Sequence, residues 1–311
     1  MKALIFTEAG SGFGFGHLSR CVALKRYLLE AGFTVQIYNR GDFQSDCAIN
    51  CDWLQNFNAK DANLAIVDSY YATYTHYENL QENAGICIAI DDFSRIAYPK
   101  NTIILNPALN AKELYKNTPN ELFAGIEYGL LREAFTQHST KKINEVIESV
   151  LITLGGNPPQ NLLQEILTIT QSELKNAKIS VISPHKTCKA YCYTNLNAEE
   201  VKKLILEADL VISGGGVTMI EVQAMKTPSI AIEIAQNQRY QLTQWERFGV
   251  RSIKNPAQIP SVLKTLNFKE RTKIYSTLSQ IRIGEALPRF ASMLHKRAKS
   301  RQKTTESLQT F

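Results

Sequence analysis

The chain has 311 residues, 44% hydrophobic and 21% charged, and 35 Lys and Arg against 29 Asp and Glu give a formal charge of +6. This ordinary globular composition excludes a disordered chain, a collagen-like repeat and a disulfide miniprotein. No apolar run approaches the ~18 residues of a membrane span, so stable membrane insertion is not expected.

Five basic residues near the end, Lys296, Arg297, Lys299, Arg301 and Lys303, stand against Glu306. They carry +4 and leave +2 for residues 1–295, so the body does not read as a nucleic-acid binder. The tail reads as a solvated helix end that frays. At the start, the apolar stretch of MKALIFTEAG stops at Phe6 and Glu8 follows, so it is not expected to be a signal peptide. A cytoplasmic location follows as an expectation, with the six cysteines as reduced thiols. Cys47 and Cys51, and Cys188 and Cys192 near His185, are spaced as a loose fit to zinc. Buried or idle thiols are the better reading.

In chain order, short apolar runs at 3–6, 35–38, 64–67, 86–90 and 102–105 predict buried strands, and a second set lies at 150–154, 179–182, 210–213 and 229–232. Helical patterns fall between them at 18–30, 162–170, 198–207 and 218–226. This alternation predicts an α/β protein of two Rossmann-like, doubly wound domains. The polar stretch 137–147 separates a first domain at 1–140 from a second at 145–285, with 286–311 as a terminal helix and basic tail. The amphipathic stretch 274–297 has no strand after it and is expected to pack back across the halves.

Ligands of such sheets collect at the carboxyl ends of the strands. Four loops there have unusual composition. TEAGSGFGFGHLSRC carries Gly10, Gly12, Gly14 and Gly16 and ends in His17 at a helix start, where a histidine can serve as general base. It is neither a P-loop nor a nicotinamide fingerprint. SGGGVTMIE places Gly214, Gly215 and Gly216 before a helix, where backbone donors suit a diphosphate. Thr218 adds a hydroxyl, and Glu221 is placed to accept from a ribose. After the third strand come Asp68 and Tyr70, an acceptor and a ring for a sugar, or a helix cap and packing. In EIAQNQRYQ, Asn237 and Gln238 offer amides and Arg239 a guanidinium. Asp91 and Asp92 are adjacent on an extended backbone and point to opposite faces, so one of them is expected to be structural.

The stretches GFGHLSRC (14–21), DSY (68–70), IDDFSR (90–95), GIEYGLLREAF (125–135), LITLGGN (151–157), SGGGVTMIE (213–221) and NQ (237–238) together resemble the UDP-sugar hydrolases of pseudaminic acid biosynthesis. These are related to the MurG-like glycosyltransferases of GT-B fold, and the resemblance implies two Rossmann-like domains facing a cleft. The resemblance implies hydrolysis of UDP-2,4-diacetamido-2,4,6-trideoxy-β-L-altropyranose to UDP and free sugar, with no metal and no cofactor. It implies that His17 activates the attacking water, that Tyr70 and Asn237 line the sugar and diphosphate, and that Glu221 binds the ribose. Pro158 departs from the family, which often has an acidic residue there, and this weakens the expected contacts of the Gly155–Asn157 loop. The expected site therefore has His17 as catalytic residue. Gly14, Gly16, Arg20, Asp68, Tyr70, Gly155, Gly156, Gly214, Gly215, Gly216, Thr218, Glu221, Asn237 and Gln238 are its substrate contacts. The expected partner is a UDP-amino sugar and the expected state a monomer. A glycosyltransferase of the same fold, a related UDP-sugar epimerase and a non-catalytic sugar-nucleotide sensor are the alternatives. Release of free sugar separates the hydrolase from the transferase and the sensor.

Overall fold

The computed structural model describes residues 1–55, 59–137, 139–156, 158–184 and 190–309, with side chains as far as 302. His185, Cys188 and Asn157 lie outside the described residues. The chain divides into two compact units, Met1–Leu130 with Ile283–Phe311, and Leu131–Arg282.

The first unit contains β1 (Lys2–Glu8), α1 (Gly16–Glu30), β2 (Thr34–Arg40), β3 (Ile49–Asn50), β4 (Leu64–Asp68), α2 (Tyr74–Asn83), β5 (Ile86–Ile90), β6 (Ile103–Asn106) and β7 (Leu122–Ala124). Its seven strands are parallel in the order β3-β2-β1-β4-β5-β6-β7. β4 and β5 are buried along their whole length, which explains their unbroken apolar sequences. On one face Leu24 and Leu28 of α1 pack over Ile5, Ile66 and Ile88. On the other, Trp53, Tyr77 and Leu80 cover Leu4, Val67 and Ala89.

The second unit contains β8 (Ser149–Thr153), α3 (Gln160–Glu173), β9 (Lys178–Ile182), β10 (Tyr191–Tyr193), α4 (Ala198–Glu207), β11 (Leu210–Gly214), α5 (Val217–Ala224), β12 (Ser229–Ile232), α6 (Arg239–Glu246), β13 (Arg251–Ile253), α7 (Ile259–Thr265) and α8 (Phe268–Leu278). Its six parallel strands run β10-β9-β8-β11-β12-β13. The polar stretch near residue 140 is tied to this unit. Lys141 donates to the carbonyls of Leu206 and Ala208 at 2.6 and 2.5 Å, closing the end of α4. Asn144 donates to Asp209, and the buried Arg271 donates to the Glu145 carbonyl.

The last helix, α9 (Leu287–Gln309), returns to the first unit, where Leu287, Phe290, Ala291 and Leu294 join the core beside α1. The amphipathic stretch at 274–297 is therefore interrupted, with α8 in the second unit and α9 in the first. The GIEYGLLREAF stretch lies at this crossing. A Cβ on Gly129 would stand 2.6 Å from Ile283 Cγ2, and the N–H of Gly284 donates to the Ile126 carbonyl. Part of that motif thus serves the close passage of the departing and returning chain.

Candidate functional site

In each sheet the strand order reverses beside the first strand, between β1 and β4 and between β8 and β11. The crevice at such a reversal is where ligands of open α/β sheets bind. His17 stands in the first turn of α1 after the β1 loop, and Asp68 ends β4 with Tyr70 just beyond it. Gly155 and Gly156 follow β8, and Gly214 ends β11 with Gly215 and Gly216 just beyond it.

In the first unit the loop after β1 folds on itself through mutual hydrogen bonds of Gly10 and Gly14, and Asp42 accepts from the Ser11 backbone N–H at 2.7 Å. A Cβ on Gly10 would stand 1.9 Å from Asp42 Oδ1, so no larger residue fits this approach. The loop delivers His17 to the first turn of α1. Its Nδ1 lies 2.6 Å from Asp68 Oδ1, and its side chain is 12% exposed.

Asp68 is fully buried. Burial works to raise its pKa, but the Arg20 charge, with His17, outweighs burial and holds the carboxyl well below the usual range. A carboxylate only accepts, so the 2.6 Å contact places the proton on His17 Nδ1 and leaves the Nε2 lone pair available. Arg20 donates from Nε and Nη2 to both Asp68 oxygens at 2.6 and 2.5 Å, and from Nη1 to Asp92 at 2.6 Å. Asp92 also lies below its ordinary pKa, because Arg20 offsets a burial that would raise it. Tyr70 donates its hydroxyl to Asp92, and its ring meets the His17 ring edge-on with centroids 4.5 Å apart.

Of the adjacent carboxylates, Asp92 belongs to this network, whereas Asp91 accepts from the Tyr115 hydroxyl at 2.5 Å and from the backbone of Arg95. Asp91 is the structural member of the pair, and its carboxyl is pushed up by burial. Asp68, read from the sequence as a sugar contact or a cap, instead sits beneath His17 and Arg20. Glu8, which sequence reasoning passed over, ends β1 fully buried, accepting from Ser69 Oγ at 2.9 Å and from Arg40. An acidic residue closing an apolar strand was the available signal.

In the second unit Gly214 closes β11 where a Cβ would stand 2.7 Å from Ile234 Cδ1 and 2.9 Å from the Leu154 carbonyl oxygen. The sequence assigned donors to all three glycines. The structure moves them forward: the Gly215 N–H donates to the Ile232 carbonyl, and the N–H groups of Gly216, Val217 and Thr218 open α5. Gln238 anchors the neighbouring loop by accepting from the Ile234 N–H at 2.9 Å, with Asn237 beside it. Arg239 is held by Glu233 at 2.7 Å.

Glu221 on α5 is 1% exposed and accepts from Arg132 Nε and Nη2 at 2.6 and 2.8 Å. Burial raises its pKa, and Arg132 only partly offsets this. Arg132 thus holds both oxygens of the carboxylate that the sequence assigned to a ribose. Arg132 was visible only as part of the GLLR stretch. Among the described residues no group of three or more His, Cys, Asp and Glu is arranged to hold a metal ion. Cys21 and Cys87 are buried and Cys51 is exposed, all as free thiols.

No protein-family model matches the chain. It is 29% identical over 245 residues, 76% of its own length and 45% of the relative's, to a protein of Helicobacter pylori named pseudaminic acid cytidylyltransferase and UDP-2,4-diacetamido-2,4,6-trideoxy-β-L-altropyranose hydrolase. It is 22% identical, over 77% of its length and 57% of the relative's, to an uncharacterised protein of Methanocaldococcus jannaschii. The chain thus spans about half the length of these curated relatives. Among solved structures it resembles MurG of Acinetobacter baumannii, with a TM-score of 0.62, 13% identity and coverage of 95% of this chain and 100% of that one. It also resembles the glycosyltransferase of kitacinnamycin, with a TM-score of 0.61, 11% identity and coverage of 96% and 99%. The chain has the GT-B fold of these glycosyltransferases, and over 76% of its length it is similar to a protein named as a UDP-sugar hydrolase of pseudaminic acid biosynthesis.

Proposed function

We propose that the protein hydrolyses a UDP-amino sugar, UDP-2,4-diacetamido-2,4,6-trideoxy-β-L-altropyranose, to UDP and the free sugar. The observation that carries this reading is the 2.6 Å contact between His17 Nδ1 and a buried, charge-held Asp68, in a chain similar to a relative of that name. With Nδ1–H pointing at Asp68, Nε2 takes a proton from water. The water oxygen bonds to the anomeric carbon, and the carbon–oxygen bond to the diphosphate breaks with its electron pair leaving on UDP. Asp68 offsets the charge of the imidazolium that forms.

The second unit supplies the grip on the nucleotide. The amide groups opening α5 at Gly216–Thr218 stabilise the charge that develops on the leaving diphosphate. Gly155 and Gly156, at the end of the adjacent strand β8, complete the diphosphate loops, and Asn237 and Gln238 contribute amides. Gly14 and Gly16 shape the loop that carries the base, and Tyr70 lines the sugar. Glu221, held by Arg132, is the ribose contact. We place the enzyme in solution in the cytoplasm, as a monomer that needs neither metal nor cofactor.

Incubation of the purified protein with this UDP-sugar, read by mass spectrometry and proton NMR, is expected to release UDP and free sugar in equal amounts. An intact UDP-sugar after exhaustive incubation overturns the reading. The variant His17→Asn is expected to lose at least about 10²-fold in turnover while keeping its affinity for UDP. Wild-type turnover in that variant removes His17 from the chemistry.

A further inference from the structure

The basic end of the chain, which the sequence leaves as a solvated tail, has a docked face. In the first unit a cavity of about 630 Å³ adjoins the beginnings of β5 at Ile86 and β6 at Ile103, against α9. The strands are parallel and the His17 loop follows the carboxyl end of β1. This cavity therefore lies at the other end of the sheet, away from the His17 network.

Its walls carry four cations, Lys100, Lys296, Arg297 and Arg301, against one carboxylate, Glu121, which leaves a local charge of +3. Two of the cations are built in. Arg297 is held by both Glu121 oxygens at 2.6 and 2.8 Å, and Arg301 donates to the Gly85 carbonyl. Lys100 and Lys296 make no ion pair among the described residues, and both are exposed. Ile103 and Pro119 add apolar surface beside them.

We propose that this cavity is a second binding site, for a small phosphorylated molecule, with Lys100 and Lys296 as the phosphate contacts. Volume and charge select that class. Cavities of roughly 300–1,000 Å³ suit small ligands. Paired lysines act as point charges for a phosphate dianion, and a half-apolar wall suits an attached organic group. The anchoring of Arg297 and Arg301 fixes the wall from which Lys296 projects. The basic excess of the chain thereby acquires a location and a ligand chemistry that are independent of the hydrolytic site.

The test is calorimetric titration of the full chain with inorganic pyrophosphate, with UDP titrated separately into the same samples. Wild type is expected to bind pyrophosphate with a Kd no weaker than about 1 mM. The double variant Lys100→Ala/Lys296→Ala should weaken it by at least about tenfold, and Lys100→Arg/Lys296→Arg should restore it. UDP affinity at the hydrolytic site should be the same in all three, since neither lysine belongs to the His17 network or to the glycine loops of the second unit. Absence of pyrophosphate binding to wild type, or equal binding by wild type and the double-alanine variant, overturns the proposal. A hexaglutamate peptide that binds more tightly than pyrophosphate through the same lysines also overturns it, in favour of an acidic partner segment.

Discussion

Arg20 joins two carboxylates that would otherwise repel each other, Asp68 and Asp92, and through Asp68 it reaches the histidine. Each contact has a separate consequence. The Arg20 charge keeps Asp68 ionised despite complete burial, and the ionised Asp68 fixes which ring nitrogen of His17 carries the proton. Asp68→Asn removes the charge and presents an amide whose donor end matches the wrong tautomer. Turnover is expected to fall by about 10³- to 10⁴-fold with KM little changed, because the lost interaction serves the transition state. Steady-state kinetics on the UDP-sugar check this, and a rise in KM at constant kcat would make Asp68 a substrate contact instead. The sequence exposes His17, because a glycine loop ending in histidine at a helix start is a local pattern. It does not expose the pairing of Arg20 with Asp68, 48 positions away, or of Arg132 with Glu221, 89 positions away. No local pattern encodes which buried charges meet.

Among the elements, legibility follows burial. β4, β5, β8, β11 and β12 are read within a residue or two because nearly every position is buried and each has an apolar run with polar residues only at or next to its ends. The edge strands β3, β7, β10 and β13 have two or three residues each and are partly exposed, so their composition does not separate them from loops. The stretch near residue 140 reads as a polar linker, yet Lys141 is 5% exposed and caps α4. Burial lowers the Lys141 ammonium from 10.5 to about 8. The neutral form is therefore favoured in the folded state. This contribution to stability is fully present above pH 10.5 and is lost as pH falls through about 8. Denaturant midpoints of wild type and Lys141→Met should diverge in favour of wild type between pH 8 and pH 10.5. A difference that stays flat across that window would contradict the shift.

At the scale of the whole molecule, the chain leaves the first unit at Leu130 and returns at Ile283. The length and the repeated strand–helix pattern indicate two units, but the return of α9 depends on packing partners more than 250 positions apart, Leu24 and Leu294 among them. Leu294 is fully buried, and Leu294→Ala is expected to cost about 2–5 kcal/mol. The loss should appear in hydrogen exchange of β1 and β4 with β8 and β11 unaffected. Equal loss in both sheets would contradict the assignment of α9 to the first unit.

The central claim is attack of a His17-activated water on the anomeric carbon. Hydrolysis in oxygen-18 water tests it, read on the UDP product by phosphorus-31 NMR, because the free sugar exchanges its anomeric oxygen with solvent on its own. Carbon–oxygen cleavage predicts unlabelled UDP. An isotope shift on the terminal phosphate of UDP would mean attack at phosphorus and would contradict it.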